Sequence, residues 1–273
     1  MKIFYGEKDI NYNNPAQYAF LNWRFDDSMG KNDKNNPLQK INDNFEMGKA
    51  YIADAIITLY SIIKSRNTSS VADTLIFPVL FNIWHGIELW LKCSINILNC
   101  ITNIENKNIN THDIYKLFDI LKEKLVELKL NQTAETALTE LELLINEFRR
   151  VNAHFDFARY SFDTQGNFQF YNAPFGDDKQ WQKDLFDDSK QIVPNTCVKL
   201  DSLFDIILHI TEHFEYLIEY LRSIITDENP LSDECYMEYI NTCKKYENML
   251  NSKNDDETDP INRIMNLICW HII

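Results

Sequence analysis

Residues 77–101 constrain this chain more than any other stretch. FPVLFNIWHGIELWLKCSINILNC and the following Ile101 form its longest strongly apolar run, interrupted only by His85, Glu88, Lys92, Asn96 and Asn99 among polar side chains of note. A helix that is apolar nearly all round, with isolated polar residues, belongs at the centre of a domain. The stretch therefore predicts the central helix of an all-α bundle. Composition agrees. The 273 residues include only 6 Gly and 7 Pro, too few for many tight hairpins. Hydrophobic residues make up 45%, with 13 Tyr and 17 Phe, which marks a globular chain. A chain of this length buries about three quarters of its unfolded surface and needs no covalent staple.

The neighbouring segments read as helices packed on that centre. Phe45, Met47, Tyr51, Ile52, Ala55, Ile56, Leu59, Ile62 and Ile63 recur at three- and four-residue steps and predict a helix over about 44–64. SRNTSS at 65–70 breaks it, and Pro78 in an early turn puts the regular part of the central helix near Thr74 or Phe77. Asn110 and Thr111 are candidate caps for a third helix striped with Ile114, Leu117, Phe118, Leu121 and Leu125. A fourth is expected over about 133–150 with Leu138, Leu141, Leu144, Ile145 and Phe148. A long one over about 198–225 carries Leu203, Ile207, Ile210, Phe214, Leu217, Leu221 and Ile224. Between these two, Phe155, Phe157, Phe162, Phe168 and Phe170 alternate around Thr-Gln-Gly-Asn, which predicts a β-hairpin insertion at about 155–172. The expected organisation is an N-terminal arm at 1–43, a helical bundle at 44–226 and a C-terminal helical appendage at 227–273. INRIMNLICWHII, near the end, is too apolar to stand free.

Charge and cysteine usage exclude several classes. A net charge of −14, from 27 basic and 41 acidic residues, argues against broad electrostatic nucleic-acid binding, though not against a local basic site. Cys93, Cys100, Cys197, Cys235, Cys243 and Cys269 show no metal-finger spacing and read as small apolar residues. MKIFYGEKD lacks the apolar segment of a secretory signal, and no uncharged run is long enough to span a bilayer. A cytoplasmic protein without membrane contact is expected. There is no phosphate-cradling glycine loop, dinucleotide fingerprint or nucleophile elbow, and no cofactor is expected.

Three constellations remain. Arg149 and His154, separated by Arg150, Val151, Asn152 and Ala153, suit RNA chemistry. An imidazole takes a proton from a ribose 2′-hydroxyl or assists the leaving group, typically for roughly 10²–10⁴ in rate. An arginine fork holds the charge that develops on phosphorus. The neighbouring 2′-oxygen is the nucleophile, so no metal is required. The competing reading gives Arg149 and Arg150 only the favourable place of cations at a helix C-terminus. His209, Glu212 and His213 match the inverted zinc-protease pattern, His-x-x-Glu-His, but that chemistry needs a third ligand, so they read instead as half-exposed packing residues and no metal is expected. His85, Glu88 and Lys92 share a helix face, with His112 at the next helix start. Lys92 lies in the favourable orientation from Glu88. The default reading is a structural polar pocket that locks helices together, because buried charges must be paired.

The order of segments resembles the HEPN superfamily of helical domains, and more narrowly its bacterial defence and toxin-type members. The residues that carry the resemblance are His85, Gly86, Ile87, Glu88, Leu89 and Lys92; then His112, Asp113, Ile114 and Leu117; then Ala158, Arg159, Tyr160, Ser161 and Asp163. The resemblance covers about 44–226. It implies a HEPN-like bundle and a metal-independent endoribonuclease whose signature is an arginine followed within a few residues by a histidine. Carried over, Arg149 would bind the scissile phosphate and His154 would act as acid and base. Arg150, Asn152 and Arg159 would bind substrate. It also implies a homodimer with a composite site, and an antitoxin or other defence-system protein as partner. In the family the signature normally opens the last core helix, whereas here it precedes the expected hairpin. The alternative is a catalytically inactive HEPN-like scaffold that binds RNA, a nucleotide or a protein.

Overall fold

A computed structural model describes residues 37–67, 70–102, 109–126, 128, 130–149 and 198–226. Among the described residues every regular element is helical: α1 (Pro37–Lys64), α2 (Ala72–Thr102), α3 (Ile114–Leu125), α4 (Gln132–Arg149) and α5 (Leu200–Thr226). The expected hairpin at 155–172, most of the arm and the appendage at 227–273 lie outside the described residues. The all-α class holds for what is described.

The 77–101 stretch is the centre of this bundle. α2 packs against α1, α3 and α5, while α4 packs on α5. Its length and apolar composition also satisfy the criterion for a membrane-crossing helix. Ile83, Ile87, Trp90, Leu91, Ile95, Ile97 and Leu98 are nevertheless buried by the neighbouring helices, as a core helix requires. The stripes read from the sequence face that core. Ile114, Leu117, Phe118, Leu121 and Leu125 of α3 are buried, as are Ile207, Ile210, Phe214, Leu217 and Leu221 of α5.

Trp90 joins three helices. Its ring is fully buried and lies 5.5 Å from the Phe214 ring of α5, and its Nε1 donates to the Phe45 carbonyl of α1 at 3.2 Å. The approach of α1 to α2 depends on Gly48 and Gly86. A methyl at Gly48 would lie 2.5 Å from Trp90 Cδ1, and one at Gly86 would lie 2.6 Å from Ile52 Cγ1 and 3.1 Å from the Gly48 carbonyl.

Several boundaries differ from the sequence reading. α1 begins at Pro37 and not near Asn44, so the N-terminal arm ends before 43. Ile41 is buried one turn before Phe45 and extends the stripe, while Asn42 accepts from Arg222 Nη2 of α5 at 2.8 Å. α1 closes in a Schellman arrangement, with Asn67 N–H on the Ile62 carbonyl and Arg66 N–H on that of Ile63. Arg66 and Asn67 then take left-handed φ values of 54° and 50°. Asn67 Oδ1 accepts from Ala72 N–H at 2.8 Å, so α2 starts at Ala72, earlier than Pro78 suggested. The exposed Pro78 occupies its second turn.

α3 is capped by Asp113, not by Asn110 or Thr111. The Asp113 carboxylate accepts from Tyr115 N–H at 3.0 Å and Lys116 N–H at 3.2 Å, and Thr111 Oγ1 accepts from the Asp113 N–H at 3.2 Å. Asp113→Ala is expected to cost about 1 kcal/mol, measured as a lower denaturant midpoint at unchanged slope. α4 is capped by Asn131, whose Oδ1 accepts from Ala134 N–H at 2.7 Å. The same residue ties α4 to α5, because its Nδ2 donates to Tyr216 Oη and its N–H to Tyr220 Oη, each at 3.2 Å.

Candidate functional site

Glu88 lies mid-way along α2 and is 3% exposed. The helical period puts His85 one turn before it and Lys92 one turn after, on the same face. His112 comes from outside that helix, fixed by the capped turn that starts α3. Behind it, Trp84 of α2 meets Tyr115 of α3 edge-to-face at 5.6 Å, which holds the two helices in register.

These four side chains form one cluster. Glu88 Oε1 accepts from Lys92 Nζ at 2.6 Å and lies 3.0 Å from His112 Nδ1, while Oε2 lies 3.6 Å from His85 Nδ1. The last separation exceeds hydrogen-bond length, so His85 acts as a nearby dipole or charge. Burial alone would raise the Glu88 carboxyl. His85, the hydrogen-bonded Lys92 ammonium and the charge at His112 outweigh it and hold the carboxyl at about 2. His85 is itself packed, edge-on to Tyr51 at 4.5 Å and stacked on Phe81 at 5.8 Å. His85, Glu88, Lys92 and His112, separated in the sequence, are thus brought together.

The other constellations fare differently. Arg149 is the last residue of α4. Arg150, Asn152, His154 and Arg159 lie outside the described residues. His209 and His213 are not an equivalent half-exposed pair. The His209 side chain is 48% exposed, with Nδ1 3.4 Å from Glu212 Oε2, whereas His213 is buried and its burial pushes its pKa down. Among the described residues no three His, Cys, Asp or Glu side chains gather as a metal site, so the zinc pattern gains no third ligand there. Cys93 is fully buried, which pushes its thiol up to about 12, and Cys100 is raised by burial too. Both remain unreactive thiols, in keeping with their apolar reading.

A buried pair of opposite charges escaped the sequence reading. Lys49 of α1 is 4% exposed, with Nζ 3.7 Å from Glu215 Oε1 of α5 and 5.3 Å from the Phe45 ring centre. The signal was present: Lys49 falls one turn after Phe45, on the stripe that runs from Ile41 to Leu59. Nearby, Arg222 lies 4.5 Å from the Phe45 ring centre and donates to Glu219 at 2.8 Å. Compared with known proteins, the chain matches no family model, no curated protein and no solved structure.

Proposed function

We propose that the chain is a HEPN-like helical protein of a bacterial defence or toxin–antitoxin type, cytoplasmic and homodimeric, that cleaves RNA without a metal. The observation that carries this reading is the convergence at Glu88. The segment from His85 to Lys92 and the segment from His112 to Leu117 resemble the family separately, and their polar residues meet at one carboxylate. Convergence is what is expected of motifs that serve one architecture. Arg149 binds the scissile phosphate and His154 transfers protons in a site completed by a second copy. Arg150, Asn152 and Arg159 contact substrate.

The experiment is RNA cleavage in EDTA with the wild type, Arg149→Ala and His154→Ala. Fragments with cyclic-phosphate ends are expected from the wild type, with each variant slower by about 100-fold or more. Cleavage unchanged in both variants removes the pair from the site. A second reading is favoured by the net charge of −14: a HEPN-like scaffold that binds a protein partner, RNA or a nucleotide without cutting. It predicts binding by the wild type with no fragments at any protein concentration.

A further inference from the structure

Lys49 and Glu215 sit in the seam between α1 and α5. Residues 42, 49 and 60 of α1 meet 222, 215 and 204 of α5, so the two helices run antiparallel in a single register. Both charges of the pair are buried, and Lys49 Nζ stands 3.7 Å from Glu215 Oε1, beyond hydrogen-bond length. Among the described residues, Lys49 is the one charged side chain whose polar atom is enclosed and makes no hydrogen bond. A buried ion pair repays its desolvation only where hydrogen bonds complete it. The buried Glu88 carboxylate has that completion, with Lys92 Nζ at 2.6 Å. The pair between α1 and α5 lacks it. Facing the same seam from α2 is Cys93. Its side chain is fully buried, and its thiol feels the charges of Arg222 and Glu219 from α5 and of Glu46 from α1.

We propose that this seam opens in the native protein: α5 parts from α1 while the rest of the bundle stays folded, water reaches Lys49 and Glu215, and Cys93 becomes accessible. On opening, the two charges regain their hydration, which offsets part of the apolar contact given up between Tyr60 and Phe204. The remaining helix contacts are of a different kind. α1 meets α2 closely at Gly48 and Gly86, and Trp90 Nε1 bonds the Phe45 carbonyl. Asn131 ties α4 to α5 through Tyr216 and Tyr220, so α4 moves with α5 and carries Arg149 at its end. The opening is a conformational device of the fold, and it holds whether or not the chain cleaves RNA.

The test is alkylation of the full chain by iodoacetamide at about pH 8, in urea concentrations below the unfolding transition, with Cys93 told apart from Cys100 by fragment masses. In the wild type the Cys93 rate is expected to be nearly independent of urea, because a local opening exposes little surface. Lys49→Met/Glu215→Gln removes both charges, keeps both side-chain lengths and leaves an amide that can still hydrogen-bond. It is expected to label Cys93 about 10-fold or more slower, with a urea midpoint no lower than that of the wild type. Lys49→Met alone leaves the Glu215 carboxylate buried without its cation, and is expected to label Cys93 about 10-fold or more faster. A Cys93 rate that climbs with urea as steeply as global unfolding overturns the proposal on the wild type alone. A double variant that labels as fast as the wild type, or faster, also overturns it, since the buried charges then do not drive the opening.

Discussion

Trp90→Ala is expected to remove about 3–5 kcal/mol of stability, measured by urea unfolding at neutral pH. The ring is fully buried, so its whole apolar surface returns to water or leaves a void. It also lies against the Phe214 ring of α5 and hydrogen-bonds the Phe45 carbonyl of α1. The backbone carbonyl at Phe45 loses its indole partner in the same step. Since a domain has about 5–15 kcal/mol in all, this single truncation brings the chain close to unfolding. The reverse error, too much volume, strikes the same place. Gly48→Ala puts a methyl 2.5 Å from an indole that cannot retreat, and is expected to cost about 1–3 kcal/mol despite alanine's better helix propensity. The two changes are expected not to add. With the indole gone, the Gly48→Ala methyl enters the vacated space, and its cost falls by about 1 kcal/mol or more. Additive costs would mean that Trp90 and Gly48 do not share the contact.

The bundle was legible because its main signals are periodic. The stripes of α3 and α5 were named residue by residue from three-four spacing, and the same residues line the core. Helix starts were less legible, since they depend on which of several polar residues the third dimension uses. Asn110, Thr111 and Asp113 are all good caps; Asp113 wins because its carboxylate reaches two free N–H groups while Thr111 braces its own. The start of α1 was placed near residue 44, but the helix already includes Asn42, a partner for Arg222 180 residues later. The candidate site divides in the same way. Lys92 with Glu88 follows from helix geometry alone, whereas the distance from His112 to Glu88 is set by how α3 packs on α2. Lys49 was passed over because a lysine on an apolar stripe is usually solvated through its long stem. Here α5 covers it, and Glu215 is the nearby anion.

Glu88→Gln is expected to be destabilising at neutral pH by about 3 kcal/mol, and progressively less so in acid. Glu88 is held at about 2 in the folded chain against an ordinary 4.5, and each unit is worth about 1.4 kcal/mol. A carboxyl with a depressed folded-state pKa stabilises the fold fully above about pH 4.5. Below that the unfolded chain takes up the proton first, and the contribution drains away as pH falls towards 2. At 3% exposure the carboxylate is little screened, and Lys92, hydrogen-bonded to it, dominates what is lost; the exposed His112 adds little to stability. The wild type also weakens in acid through its other carboxylates, so the informative quantity is the difference between the two proteins. Urea unfolding at intervals from about pH 7 to about pH 2.5, with the slope held constant, measures it. The gap should close by most of its neutral value over that range. A gap that stays constant with pH would mean that the charge on Glu88 contributes nothing to the stability of the fold.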